Sequence, residues 1–360
     1  MYLHRITHIL EKYERHISSG MLVFGFIFDS LTLTRIDRSR DHIILGTYLL
    51  VSLLCIFFVN LFEIRRERGG FLEKAQPWLL FAIQFSFGGL FSNFVVLYAR
   101  SSSFLASWPF LVLLLGLLIG NEFFKKHYAR FTFHMSIFFI ALFSFLIFFI
   151  PVVLREMSGS IFFLSGLTTL ILFSLVMYGL SKFFPERIAE SKRALVFSIG
   201  IIFILVNVLY VTNIIPPIPL SLKDIGVFHS IYKKSSTEFI VLAEEQKGYA
   251  FLRSYDTVSL KEGEPAYVLS AVFAPTGLSV NVVHNWQYYD EKAGWISMAK
   301  IPLTIIGGRE GGYRVYSKKE NVASGLWRVS VETERGQVIG SLKFLVERVK
   351  DSPALESSLR

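Results

Sequence analysis

An acid inside an apolar run is the first position in this chain that asks for chemistry. In "GFIFDSLTLTRIDRSRD", Asp29 interrupts the apolar residues, and Arg35, Arg38 and Arg40 follow it. If 20–36 is a membrane-spanning helix, a rise of about 1.5 Å per residue puts Asp29 roughly 14 Å deep, near the middle of a bilayer of about 30 Å. A carboxylate at that depth costs about 2.5–3.5 kcal/mol, so it should face other helices and find a partner there. Arg35 would lie well round the same helix and higher on it, so another span is the better source of that partner, and Asn93 and Asn207 are candidates. The chemistry on offer is a substrate or proton site. The plainer reading is a buried, hydrogen-bonded polar position, because one acid without a second titratable partner makes a poor relay.

Two further groups have suggestive spacing. Gln84, Gly88 and Ser92 recur at i, i+4 and i+8, with Gly89 and Asn93 beside them, so one helix face is small and polar. Such a face lets helices approach closely, and the same residues could line a path. Near the other end of the chain, His284, Trp286, Trp295, Arg309, Tyr313, Arg314 and Tyr316 form an aromatic and cationic group. If exposed, they suit a glycan, phosphate or peptide, through stacking and forked hydrogen bonds. Two Gly-Gly pairs flank Arg309 and Glu310 in "IIGGREGGYRVY", which implies a tight turn or a close approach of backbones. No GxSxG, phosphate-loop, HExxH or CxxC spacing occurs, so the sequence offers no catalytic, cofactor or metal site.

The elements that would position these residues are of two kinds. Of 360 residues, 52% are hydrophobic and 36 are Phe, more than one water-soluble core hides. Seven apolar runs of near-spanning length cover 20–36, 43–64, 78–98, 103–120, 131–153, 160–180 and 194–215. Basic residues cluster in alternate loops: Arg65, Arg66, Arg68 and Lys74; Lys125, Lys126 and Arg130; Lys182, Arg187, Lys192 and Arg193. By the positive-inside rule those loops are cytoplasmic, and the chain beyond 215 lies outside. Most of the net charge of +9 sits in these loops, where lipid and insertion account for it and nucleic acid is not needed. Cys55 stands alone, so no intrachain disulfide forms.

After Pro216, Pro217 and Pro219 the period changes from helical to alternating. Short runs rich in Val, Ile, Tyr and Trp, such as "AYVLSAVFA", "LSVNVVHNWQYYD" and "GLWRVSVET", are separated by turn residues. They predict an antiparallel, immunoglobulin-like β sandwich. The expected organisation is a cytoplasmic amphipathic lead-in at 1–19, a transmembrane α-helical bundle at 20–215, an extracytoplasmic Pro-rich linker at 216–230, the all-β domain at 231–349 and a disordered tail at 350–360.

Six strings, "GFIFDSLTLTRID", "NIIPPIPLSLKD", "VFAPTGL", "HNWQYYD" with its following "GW", "IIGGREGGYRVY" and "GLWRVSVETERGQVIG", resemble the bacterial membrane proteins that carry domain of unknown function 2914. The resemblance implies a multi-span inner-membrane protein with a C-terminal β domain, and it supplies no catalytic residue.

Three functions follow as expectations. The first is a binding or scaffold protein, partnered by the lipid bilayer, that shows a periplasmic β domain to an envelope component or partner protein. The second is a transporter or lipid-handling protein with Asp29 and the polar third span along its path. The third is a membrane enzyme on a lipid-linked substrate, with Asp37, Asp41, Glu156, Asp224 and His229 as its available groups.

Overall fold

The computed structural model describes residues 27, 39–64, 71–100, 108, 112–116, 131–217, 219–235, 238–244, 255–351 and 353–360, with the backbone alone at 39, 71–77 and 100. The chain divides into a helical unit that ends at Ile215 and a β unit that comprises Pro216–Arg360 with Leu154–Met157.

Five helices are long and apolar enough to cross a membrane among the described residues. They are α1 (Ser39–Ile64), α2 (Phe71–Arg100), α3 (Phe131–Leu154), α4 (Gly159–Ser181) and α5 (Pro185–Val211). They coincide with five of the seven expected spans. The first and fourth of those runs, with Asp29, Arg35 and Arg38, lie outside the described residues apart from Ile27, Trp108 and 112–116, which are helical. The lead-in at 1–19 lies outside them too.

Local chemistry sets the helix ends. Ser158 caps α4 by accepting a bond from the Ile161 amide at 3.3 Å, and Pro185 occupies the first turn of α5, where its missing N–H costs nothing. Past α5, Asn213 adopts a left-handed φ of 58° and Pro216 and Pro217 follow, which ends the helix. Phenylalanine supplies the packing between helices. Phe139 meets Phe173 at 5.1 Å, Phe143 stacks on Phe203 at 5.8 Å, and the Phe162 ring lies 3.6 Å from Tyr210. A second set, including Phe81, Phe85, Phe163, Phe197, Ile204 and Leu175, is exposed. Apolar side chains on both the packed and the outer faces are what a lipid-solvated bundle requires.

The β unit holds eleven strands among the described residues: β1 (Ser221–Phe228), β2 (Ser230–Lys233), β3 (Phe239–Glu244), β4 (Asp256–Leu260), β5 (Ala266–Phe273), β6 (Ser279–Asp290), β7 (Gly294–Ile306), β8 (Tyr313–Lys319), β9 (Gly325–Thr333), β10 (Val338–Arg348) and β11 (Leu355–Leu359). They form sheets of order β1-β5-β8, β4-β10-β9-β6-β7 and β11-β3-β2. The first two share a core: Ala266 and Val268 of β5 pack with Trp286 of β6, Trp327 and Val329 of β9, and Phe344 and Val346 of β10.

The coarse expectation of helices followed by a β domain therefore stands, with three differences. The pairing is not wholly antiparallel, because β4 runs parallel to β10. The expected linker contains β1, whose register slips between Leu222 and Asp224; that slip destroys the alternation that would have marked it as a strand. The expected disordered tail carries β11, which pairs with β3 from Leu355 opposite Glu244 to Leu359 opposite Ile240. All five residues of β11 are exposed, so backbone pairing rather than an apolar pattern holds it.

Candidate ligand-binding face

Strand parity divides the side chains of the five-stranded sheet. On β6, Val282, His284 and Trp286 point into the core, while Asn285, Gln287 and Tyr289 point out. On β9, Trp327, Val329 and Val331 are buried, so Arg328, Ser330 and Glu332 take the other face. Register then sets the neighbours across the strands: Lys343 of β10 is opposite Arg328 of β9, Arg328 is opposite Gln287 of β6, and Gln287 is opposite Ser297 of β7. In the adjoining row Tyr289 faces Trp295.

These outward residues are joined. Arg328 donates from Nε to Gln287 Oε1 at 2.6 Å, and its guanidinium lies 4.3 Å from the centroid of the Trp295 ring. Lys343 Nζ approaches the same ring at 5.9 Å, and Tyr289 meets it at 5.2 Å with the ring planes 63° apart. Asn285 donates to Glu332 Oε1 at 3.0 Å and accepts from Ser297 Oγ at 2.7 Å. Burial raises the Glu332 carboxyl above its ordinary pKa, against the Asn285 hydrogen bond and the charges of Lys300 and Arg328; burial also lowers that of Arg328. Arg328 and Lys343 form no ion pair among the described residues.

Like charges directly opposite each other on neighbouring strands are destabilising. An Arg and a Lys in that arrangement, beside two aromatic rings on a polar face, make an assembly among the described residues that resembles a prepared site for an anion. Of the aromatic and cationic residues singled out in the sequence, only Trp295 belongs to it.

The others are placed differently. His284 and Trp286 are fully buried, which corrects the expectation that they are surface binding residues. They hold the two sheets together: His284 Nε2 bonds Ser270 Oγ and its Nδ1 bonds Ser317 Oγ, each at 2.8 Å, and Trp286 donates to that same Ser317 oxygen at 3.0 Å. Burial lowers the His284 pKa to about 4. Arg309 stacks on Tyr313 at 4.6 Å, and Tyr316 sets its ring against Phe239 at 5.9 Å. Tyr313 and Arg314 are half-buried on β8.

The glycines around Arg309 have a packing cause. A Cβ on Gly307 would lie 1.8 Å from the Pro275 carbonyl oxygen. The amides of Gly307 and Gly308 bond the carbonyls of Leu278 and Ala274, so two loops meet backbone to backbone.

In the helical unit, Asn93 and Asn207 each bond a carbonyl of their own helix, at Gly89 and Phe203. Asn93 is buried, and Asn207 lines an open groove of about 310 Å³ with Phe203, Ile204, Val208, Val211 and Thr212. Gln84 is half-buried, and Gly89 lies against the Tyr48 ring, so this face of α2 serves close packing. Arg40 is 3.5 Å from Asp41, while His229 pairs with Glu244 at 2.9 Å and Asp224 with Arg360 at 3.2 Å.

Comparison with known proteins bears on the same strands. Residues 280–346 match the family model described as "Protein of unknown function (DUF2914)". The β unit is similar to that family over these residues. The matched segment runs from β6 to β10 and contains every residue of the Arg328 assembly. No curated protein matches the chain. Among solved structures, the Pseudomonas fluorescens alkylpurine DNA glycosylase AlkC bound to DNA containing an abasic site analog aligns at 9% identity, covering 87% of this chain and 99% of that one, with a TM-score of 0.21. A likeness that low carries no argument about fold or partner.

Proposed function

We propose that this is a membrane-anchored recognition protein of the bacterial inner membrane, whose helices fix a periplasmic DUF2914 domain that binds an envelope component. The observation behind the reading is the outward face of the five-stranded sheet, where Arg328 and Lys343 stand side by side against Trp295 with no salt bridge to an acid among the described residues. Local charge supports a periplasmic position. The short connection between α4 and α5, with the first turns of α5, carries Lys182, Arg187, Lys192 and Arg193 and belongs in the cytoplasm, so α5 ends on the opposite side, where the β unit begins.

Two single-cysteine variants in a Cys55→Ser background test both parts. Ser341→Cys lies on the proposed face two residues from Lys343, and Lys292→Cys lies on the exposed β6–β7 turn. With an impermeant thiol reagent, the turn cysteine should label equally fast in intact cells and in purified protein. The face cysteine should label more slowly in cells, because its ligand covers it. Labelling of both only after lysis would overturn the topology, and equal rates at Ser341→Cys in cells and in purified protein would overturn the recognition role.

A further inference from the structure

Arg328 is held in a way that leaves its binding edge open. Its Nε is committed to Gln287, one face of its guanidinium is laid on Trp295, and its two terminal nitrogens make no hydrogen bond among the described residues. A guanidinium fixed at one nitrogen and one face presents the remaining pair of N–H donors as a fork, and a fork matches the two oxygens of a carboxylate. Lys343, directly across the strand pair, adds a second positive charge on the same side. Preorganisation matters here because the ordering of a long side chain has already been met in the free protein.

The surroundings narrow the ligand. Tyr289 is 41% exposed and stands beside Trp295, so aromatic surface lies next to the fork. Gln287, Ser297 and Ser341 offer amide and hydroxyl groups at the spacing of neighbouring strands, suited to a chain of hydroxyls. The Arg328 guanidinium and Lys343 Nζ converge on the Trp295 ring, at 4.3 and 5.9 Å, so the charged part of the face is compact. A lipid tail fits poorly, because the centre of the face is Ser, Asn and Gln.

We infer that this face binds an acidic saccharide, with a sugar carboxylate in the fork of Arg328 beside Lys343 and a neighbouring ring on Tyr289. The inference rests on the recognition role proposed above and gives it a ligand class.

The test uses the full chain in lipid nanodiscs and calorimetric titration with trigalacturonate, which has a carboxylate on every ring. Chitotriose, neutral and of equal length, and triglutamate, anionic and without sugar rings, are the comparisons. Trigalacturonate should bind, and each comparison should bind at least tenfold more weakly. Arg328→Lys keeps the charge and loses the fork, so it should weaken trigalacturonate about tenfold with an unchanged thermal melt. Tyr289→Ala should weaken trigalacturonate and leave triglutamate unaltered. Equal binding of triglutamate would reduce the face to a general anion site, equal binding of chitotriose would remove the fork from recognition, and no binding of trigalacturonate would end the acidic-saccharide inference. If that last result came with persistent protection of Ser341→Cys in cells, the recognition role would stand with a ligand of another class.

Discussion

Acid should weaken the β domain through His284. It is fully buried between Ser270 and Ser317, and burial lowers its pKa to about 4, while an unfolded chain gives histidine its ordinary value near 6.5. The unfolded state therefore takes up the proton first. The stability due to a neutral His284 is fully present above about pH 6.5, falls as the pH drops, and has been lost by about pH 4. At about 1.36 kcal/mol per pH unit, that interval amounts to roughly 3 kcal/mol. Glu332 works in the opposite sense, because a carboxyl with a raised pKa in the folded state favours folding as the pH falls. The comparison must therefore isolate His284. His284→Gln keeps a donor and an acceptor and cannot become charged. Urea unfolding of the wild type and the variant in nanodiscs, followed by fluorescence of the buried Trp286 and Trp327, should show the wild type losing about 3 kcal/mol more than the variant between pH 7 and pH 4. The variant should start lower at pH 7, by about 1–3 kcal/mol, because its amide cannot reach both serines as the ring does. Parallel pH profiles for the two proteins would refute the reasoning, whatever the size of the shared slope.

Gly307→Ala should cost at least about 3 kcal/mol or prevent folding of the β domain, since the new Cβ would meet the Pro275 carbonyl, whereas Gly263→Ala, which meets nothing within 4 Å but keeps a φ of 81°, should cost about 1–2 kcal/mol; urea midpoints separate the two. Deleting 353–360 removes β11 and the half-exposed Arg360–Asp224 pair, so stability should fall by only about 1 kcal/mol while amide exchange quickens in β3, and a larger loss would show that the tail supports the main core.

What was legible in the sequence was period and composition. Phe-rich runs of spanning length gave the five described helices, and alternation gave β3 and β5 to β10 nearly residue by residue, because those strands bury one face against a partner sheet. β1, β2, β4 and β11 escaped notice for different reasons: β2 and β4 are too short to show a period although they bury Ile231, Val258 and Leu260, β1 loses its alternation at the register slip, and β11 is exposed throughout. The candidate site shows the same limit more sharply. "HNWQYYD" places His284 and Trp286 on one parity and Gln287 and Tyr289 on the other, but nothing in the string says which parity faces the core. The bulky Trp286 and the apolar Val282 decide it once a second sheet is present. Arg328 and Lys343 were less visible still, because each looks like an ordinary polar position in a half-buried strand. They become a site only when the β9–β10 register sets them opposite each other and the β6–β7 pairing brings Trp295 beneath the guanidinium. Lateral register is a property of strand pairs, so residues far apart in a single chain acquire a common chemistry that no local spacing records.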